Sequence, residues 1–323
     1  MTNLDAGTKQ VVEMYSKYPF PSRGNSDNFF ERFVLPAISR LKRDYPIQRL
    51  LEAGCGTGNI TADIAGHLPE VAVTAIDLTD ESLGLAKQRA VARELKNVSF
   101  QKSNLLHHDP ELGVFDFVYS QGVIHHLSDP LAGMKNLNRY LKPDHHAFIW
   151  LYSLLGRRRI LDLREALKIL GVENLAWEQK VQLAQDARPY FLSQRLTLVR
   201  KVIKVLEYCD QHGFKGLGRY LYAHLKRSPQ DPDGRIAVAD QYLHPQDKFY
   251  RFAEALDLFH QAGFELVGAL QGMSNTIQES FGDDVKLVTG RSFSQREAYT
   301  LIELHEQPEG FGFLIKKTSE VPD

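Results

Sequence analysis

The chain has 323 residues, 43% of them hydrophobic and 24% charged, a composition that excludes an intrinsically disordered chain and suffices for one elaborated domain or two ordinary ones. No apolar run approaches membrane-spanning length, MTNLDAGTKQVVEMYSKYPF lacks the basic start and apolar stretch of a secretory signal, and Cys55 and Cys209 are too few for a disulfide framework. The expected location is therefore a reducing cytoplasm, with no membrane partner.

The net charge of −1 hides a polarised distribution: residues 156–227 carry 15 Lys and Arg against 7 Asp and Glu, and residues 228–323 carry 8 against 16. Such a basic block is either solvated helix surface or a face for an anionic partner. The acidic tail, in the same molecule or a second copy, would serve as that partner, so a homodimer is admitted. A nucleic acid is not the expected partner.

Residues 1–47 read as an N-terminal arm or lid, including Tyr15, Tyr18 and the stiff YPFPSR stretch. From Arg49 onward, short β-rich runs alternate with helical patterns, as in a parallel sheet built from strand, helix, strand units. Strands are expected at Leu50–Gly54, Val71–Asp77, Val98–Ser103, Phe115–Gln121 and Ala147–Ser153, with helices at Asn59–His67, Asp80–Glu94 and Pro130–Leu141. Arg158–Leu225 then reads as several helices without a strand, and SPQDPDGR as a loop. A helix over Gln246–Ala262, stopped by Gly263, and strands at Phe264–Leu270 and Phe311–Lys317 resume the sheet. This divides the chain into residues 1–47, a sheet domain of 48–155 plus 246–318, and a helical insertion of 156–245 that caps the substrate site.

The sharpest motif is RLLEAGCGTGNI, where an apolar strand runs into glycines at 54, 56 and 58 and then into a helix. Glycines there permit a tight turn and let a ligand approach the backbone, while the helix start offers free N–H groups. Asp77 ends the next strand, 19 residues after Gly58, where a carboxylate can accept from both ribose hydroxyls of an adenosine. A dinucleotide fingerprint would place a third glycine at position 59, which is Asn59 here, and this counts against NAD and a nicotinamide oxidoreductase.

The pattern E-x-G-x-G-x-G, an Asp at the end of the second strand, FDFVYSQGVIHHLSDP at 115–130 and LNRYLKP at 137–143 together resemble class I S-adenosylmethionine-dependent methyltransferases. The resemblance covers residues 48–155 and extends to YLHPQDKFY and QAGFELVG. It implies a Rossmann-like α/β fold: a seven-stranded sheet with helices on both faces, the last two strands antiparallel, and here a helical insertion after the fifth strand. It also implies S-adenosyl-L-methionine as cofactor. Glu52, Gly54, Cys55, Gly56 and Gly58 would surround its methionine part and Asp77 its ribose, with Leu78, Asn104, Leu105 and Gln121 completing the pocket. Asn104 stands where the family commonly has Asp, and Lys142-Pro143-Asp144-His145 replaces the usual K-P-G-G.

Cys55 has no activating partner in sequence and reads as a small turn residue rather than a nucleophile. His125, at the exit of the fourth strand, and Tyr18 are the candidates for catalysis. Tyr15, Tyr152, Arg157 and His244 are the candidates for acceptor binding. No metal is implied, since His-x-x-His spacing is absent around these residues. The expected activity is methyl transfer to a small or medium-sized metabolite, anionic or otherwise small. The alternatives are a protein or RNA acceptor, and a module that binds S-adenosylmethionine without turnover.

Overall fold

In the computed structural model, residues 4–21, 29–192, 234–281 and 293–318 are described. The chain forms two compact units: Met1–Lys17, Asn25–Arg157 and Pro245–Asp323 in the first, and Tyr18–Gly24 with Arg158–His244 in the second. The expected separate N-terminal arm is thus divided between them. The reason is local: α1 (Ala6–Lys17) buries Val11 and Met14 and hydrogen bonds through Ser16 Oγ to Glu81 of the sheet unit (2.9 Å).

The first unit is a seven-stranded sheet in the order β3-β2-β1-β4-β5-β7-β6. The strands are β1 (Arg49–Ala53), β2 (Ala72–Asp77), β3 (Val98–Lys102), β4 (Phe115–Gln121), β5 (Leu141–Tyr152), β6 (Phe264–Gln271) and β7 (Gly310–Lys317). The first five are parallel, and β7 runs antiparallel to both β5 and β6. Alternation along the strands sends Leu51, Ala53, Val118 and Ile149 to one core and Leu50, Phe117, Tyr119 and Phe148 to the other. The first core is closed by α5 (Pro130–Tyr140), α9 (Phe252–Gln261) and α11 (Gln295–Glu306). The second is closed by the π-helical turn Phe30–Val34, α2 (Leu35–Leu41) and α3 (Asn59–His67). α4 (Asp80–Ala92) packs beside β2 and β3.

Two expected boundaries are corrected. β5 begins at Leu141 rather than Ala147, because Leu141 already pairs with Phe115 and Asp144 takes up the irregularity at φ 60°, ion-paired to Lys316. The late helix begins at Phe252, not Gln246, because the preceding residues run extended along the sheet. There Lys248 N–H donates to the His125 carbonyl (2.8 Å) and Tyr250 N–H to that of Tyr152 (3.0 Å). Between β6 and β7 lie α10 (Ile277–Phe281) and α11, the latter opened by a Ser294/Glu297 capping box.

The second unit contains α6 (Arg158–Ile169), α7 (Trp177–Leu192) and α8 (Arg235–Leu243) around Leu163, Leu167, Val181, Ala184 and Val238. The helices expected within 193–225, the loop from 228 and Cys209 lie outside the described residues. No helix of the described residues is long and apolar enough to cross a membrane.

Candidate active site

The strand order reverses between β1 and β4, and ligands of such sheets bind in the crevice beyond the strands' carboxyl ends at that point. The two loops that leave these ends pack on each other. Gly54 has φ +80°, and a Cβ built there would lie 2.2 Å from Cγ2 of Val123, the residue just beyond β4. Gly58 has φ +79° and meets Ala86 of α4, whose Cβ and Cα would lie 2.7 and 2.8 Å from an added Cβ. Both positions therefore require glycine for conformation and for space.

Asp77 shapes this turn as well as facing it. Its Oδ2 accepts from Gly56 N–H (2.9 Å), and its Oδ1 accepts from both N–H and Oγ1 of Thr79 (3.0 Å each). Burial pushes its carboxyl above the usual range, while the Thr79 and Gly56 amides hold it down. Beneath the turn lies Glu52, 3% exposed, with Oε2 lacking any hydrogen-bond partner. Desolvation pushes it up to about 8, opposed by the Thr61 hydroxyl and reinforced by Asp77 and Asp63. Among the described residues no lysine or arginine forms an ion pair with either acid. Cys55 is buried and burial raises its thiol well above its ordinary value, which fits a turn residue rather than a thiolate.

Leu78 follows Asp77 at the same edge, half-buried. Asn104 uses its side-chain oxygen to accept from Leu106 N–H (3.0 Å), so this amide holds the loop beyond β3 in shape and keeps one acceptor position in reserve. Leu105 is buried, its carbonyl accepting from Asn136 Nδ2 (2.7 Å). Gln121 ends β4, its side-chain oxygen accepting from the Tyr119 hydroxyl. Tyr15 is half-buried on α1, the helix tied to α4.

Beyond β4 the chain enters a single 3-10 turn, Ile124–His126. It tucks His125 fully inside, with its ring centroid 3.8 Å from Tyr152 and 5.9 Å from Trp150, both of β5. His126 is also buried and its Nδ1 lies 2.6 Å from Oδ1 of buried Asp247. The sequence separation of this pair, and the extended path of the residues around Lys248, left it unread in the sequence. Arg157 stacks on Tyr152 at 3.5 Å and is 7% exposed. Tyr18 and His244 belong to the second unit. Tyr18 packs 6.1 Å from Trp177, and the His244 carbonyl accepts from Arg164 Nη2 (2.5 Å).

The sheet order and the glycine turn over paired acids define a Rossmann-like fold with a ligand crevice at the β1/β4 switch point. The Methyltransferase domain family matches residues 51–146. Magnesium-protoporphyrin O-methyltransferase of Rhodobacter capsulatus is 31% identical over 49% of this chain and 75% of its own length. An uncharacterized protein of Synechococcus sp. is 26% identical over 93% of this chain and 69% of its own. PKMT2 from Rickettsia typhi shares the fold, with TM-score 0.58 and 15% identity over 89% of this chain. The chain spans about half the length of PKMT2 (53%) and of other curated relatives it matches (47% and 49%). It belongs to the class I S-adenosylmethionine-dependent methyltransferases, a family of enzymes whose methyl donor is S-adenosylmethionine.

Proposed function

We propose that this chain methylates a small or medium-sized metabolite, holding its cofactor against Glu52, Gly54, Cys55, Gly56 and Gly58 and against Asp77, Leu78, Asn104, Leu105 and Gln121. The observation that carries the placement is the Glu52 carboxyl: buried, with one oxygen unpartnered, and without an ion pair among the described residues. A cationic ligand removes the cost of ionising such a group, whereas the pyrophosphate of a dinucleotide would meet two acids. The remaining acceptor position on Asp77 Oδ2 suits a ribose hydroxyl.

When bound, S-adenosylmethionine supplies a methyl carbon that accepts the acceptor's lone pair while the C–S bonding pair returns to sulfur. The protein's work is alignment and exclusion of water. Tyr15, Tyr152 and Arg157 form the acceptor side in this reading, with His125 orienting the acceptor or taking its proton. Roles for Tyr18 and His244 rest on the sequence alone. The magnesium-protoporphyrin enzyme among the relatives is named for a small-molecule acceptor, which supports a metabolite here. Methyl-labelled S-adenosylmethionine incubated with a cell extract should deliver label to the small-molecule fraction. Label confined to protein or RNA would replace this reading, and no transfer at all would favour a binding module.

The pH dependence has a definite sign. In the ligand-free protein Glu52 stays protonated to about pH 8, whereas the unfolded chain loses that proton near 4.5. This group therefore costs stability as pH rises from 4.5 to 8, and the cost levels off above. A cation beside it drives the proton out, so binding of S-adenosylhomocysteine, through its ammonium group, at pH 7 should release close to one proton. Calorimetry in buffers of different ionisation enthalpy measures this release, and Glu52→Gln should abolish it. Equal proton release in the two proteins would remove Glu52 from the site.

A further inference from the structure

A buried arginine is ordinarily matched by a carboxylate, because taking a guanidinium out of water costs several kcal/mol when no anion accompanies it. Arg157 breaks that pattern. It is 7% exposed; its Nε donates to the Glu309 carbonyl (2.8 Å), and its Nη1 is buried without a hydrogen-bond partner among the described residues. No acidic side chain among the described residues forms an ion pair with it. In the same turn, Ser153 is fully buried and its Oγ also lacks a partner, while its N–H donates to that Glu309 carbonyl (3.2 Å).

The turn is built rigidly. Ser153 N–H and Arg157 Nε converge on one carbonyl oxygen, and a Cβ at Gly156 would lie 2.1 Å from the Pro308 carbonyl, so the backbone is pressed against the entry to β7. The guanidinium lies 3.5 Å from the Tyr152 ring centroid and 5.9 Å from that of Trp150, whose Nε1–H is fixed on Gln271 (2.9 Å). Aromatic stacking holds the plane of the cation but supplies no hydrogen-bond acceptor. All of this sits at the carboxyl end of β5, the strand beside β4 on the ligand rim, one strand spacing of about 4.8 Å from the exit that carries His125.

We propose that the acceptor is a carboxylic acid, anchored through its carboxylate on Arg157 Nη1, with the Ser153 hydroxyl as a second donor. The inference rests on the reading that the acceptor occupies the β4/β5 rim. A singly charged, planar carboxylate matches one guanidinium edge and one hydroxyl, whereas a phosphate dianion would leave most of its oxygens unmet by these two groups. The anchor also accounts for a buried cation at the rim of a site whose cofactor end is acidic: the two ends of the site select opposite charges.

The test uses the full chain saturated with S-adenosylhomocysteine and titrated with acetate, succinate and benzoate, each beside its amide, and with inorganic phosphate. Trp150 reports occupancy through its fluorescence, in a Trp177→Phe background that leaves it as the single tryptophan. At least one carboxylate should bind tenfold or more tighter than its amide. Arg157→Gln should lose that preference by ten- to a hundredfold, and Arg157→Lys should keep part of it. Affinity for S-adenosylhomocysteine should not change in either variant, which also verifies that they fold. Acids no better than their amides, phosphate bound in preference to every acid, or an Arg157→Gln protein that binds acids as wild type does would each overturn the proposal. If Arg157→Gln does not fold, the acid-against-amide comparison in the wild-type chain decides alone. Loss of S-adenosylhomocysteine binding by the wild-type chain would instead count against the cofactor placement.

Discussion

His125→Ala is expected to slow methyl transfer by about a hundredfold to ten-thousandfold while leaving affinity for S-adenosylhomocysteine nearly unchanged, the range for a positioned acid, base or orienting group. The histidine stands at the exit of β4, the strand next to the cofactor strand β1, and its ring lies 3.8 Å from Tyr152. Tyr152 in turn carries the Arg157 guanidinium 3.5 Å from its ring, so the histidine supports the wall proposed to face the acceptor. A fall in kcat with an unchanged KM would mark proton transfer, and a rise in KM would mark orientation through Tyr152. His126→Ala should behave differently. Its Nδ1 lies 2.6 Å from Oδ1 of buried Asp247, and removing the ring takes a polar neighbour away from that buried carboxyl group, so a lowered melting temperature should dominate over any loss of rate. Wild-type turnover in His125→Ala would make that ring a packing element.

Gly54→Ala should weaken binding of S-adenosylhomocysteine by about a hundredfold, roughly 2.7 kcal/mol. Two costs combine. A non-glycine residue in the left-handed region costs about 1–2 kcal/mol, and overpacking typically costs about 1–3 kcal/mol more. The overlap is specific: the added Cβ would lie 2.2 and 2.9 Å from the two methyls of Val123. Adding Val123→Ala should relieve the second cost and not the first, recovering part of the affinity. Thermal unfolding of each variant separates a displaced turn in a folded protein from loss of the fold. Unchanged affinity in Gly54→Ala would show that the turn does not bear on the ligand.

The sheet unit was legible because its strands are short, β-rich and punctuated. Phe115–Gln121 and Asn59–His67 have the same bounds in sequence and structure, and the turn after β1 was marked by three glycines. What local pattern could not carry was tertiary. The residues before Phe252 have a helical period, yet their backbone bonds to the turn beyond β4 and to the end of β5, and that bonding prevails over propensity. Asp77 was readable as a ligand group but not as the carboxylate that also holds Gly56 and Thr79. The pairing of His126 with Asp247 spans too many residues for any motif. The Ser294/Glu297 capping box was a local signal of α11 and stood in the sequence unread. At Arg157 the triple arginine was visible, but not which of the three lies buried with a donor to spare.

In the proposed function the acidic glycine turn at the β1/β4 switch point receives S-adenosylmethionine. Calorimetric titration of the wild-type chain with S-adenosylhomocysteine and, separately, with NAD tests it most directly. Saturable one-to-one binding of S-adenosylhomocysteine and none of NAD is expected. Binding of NAD alone would contradict it.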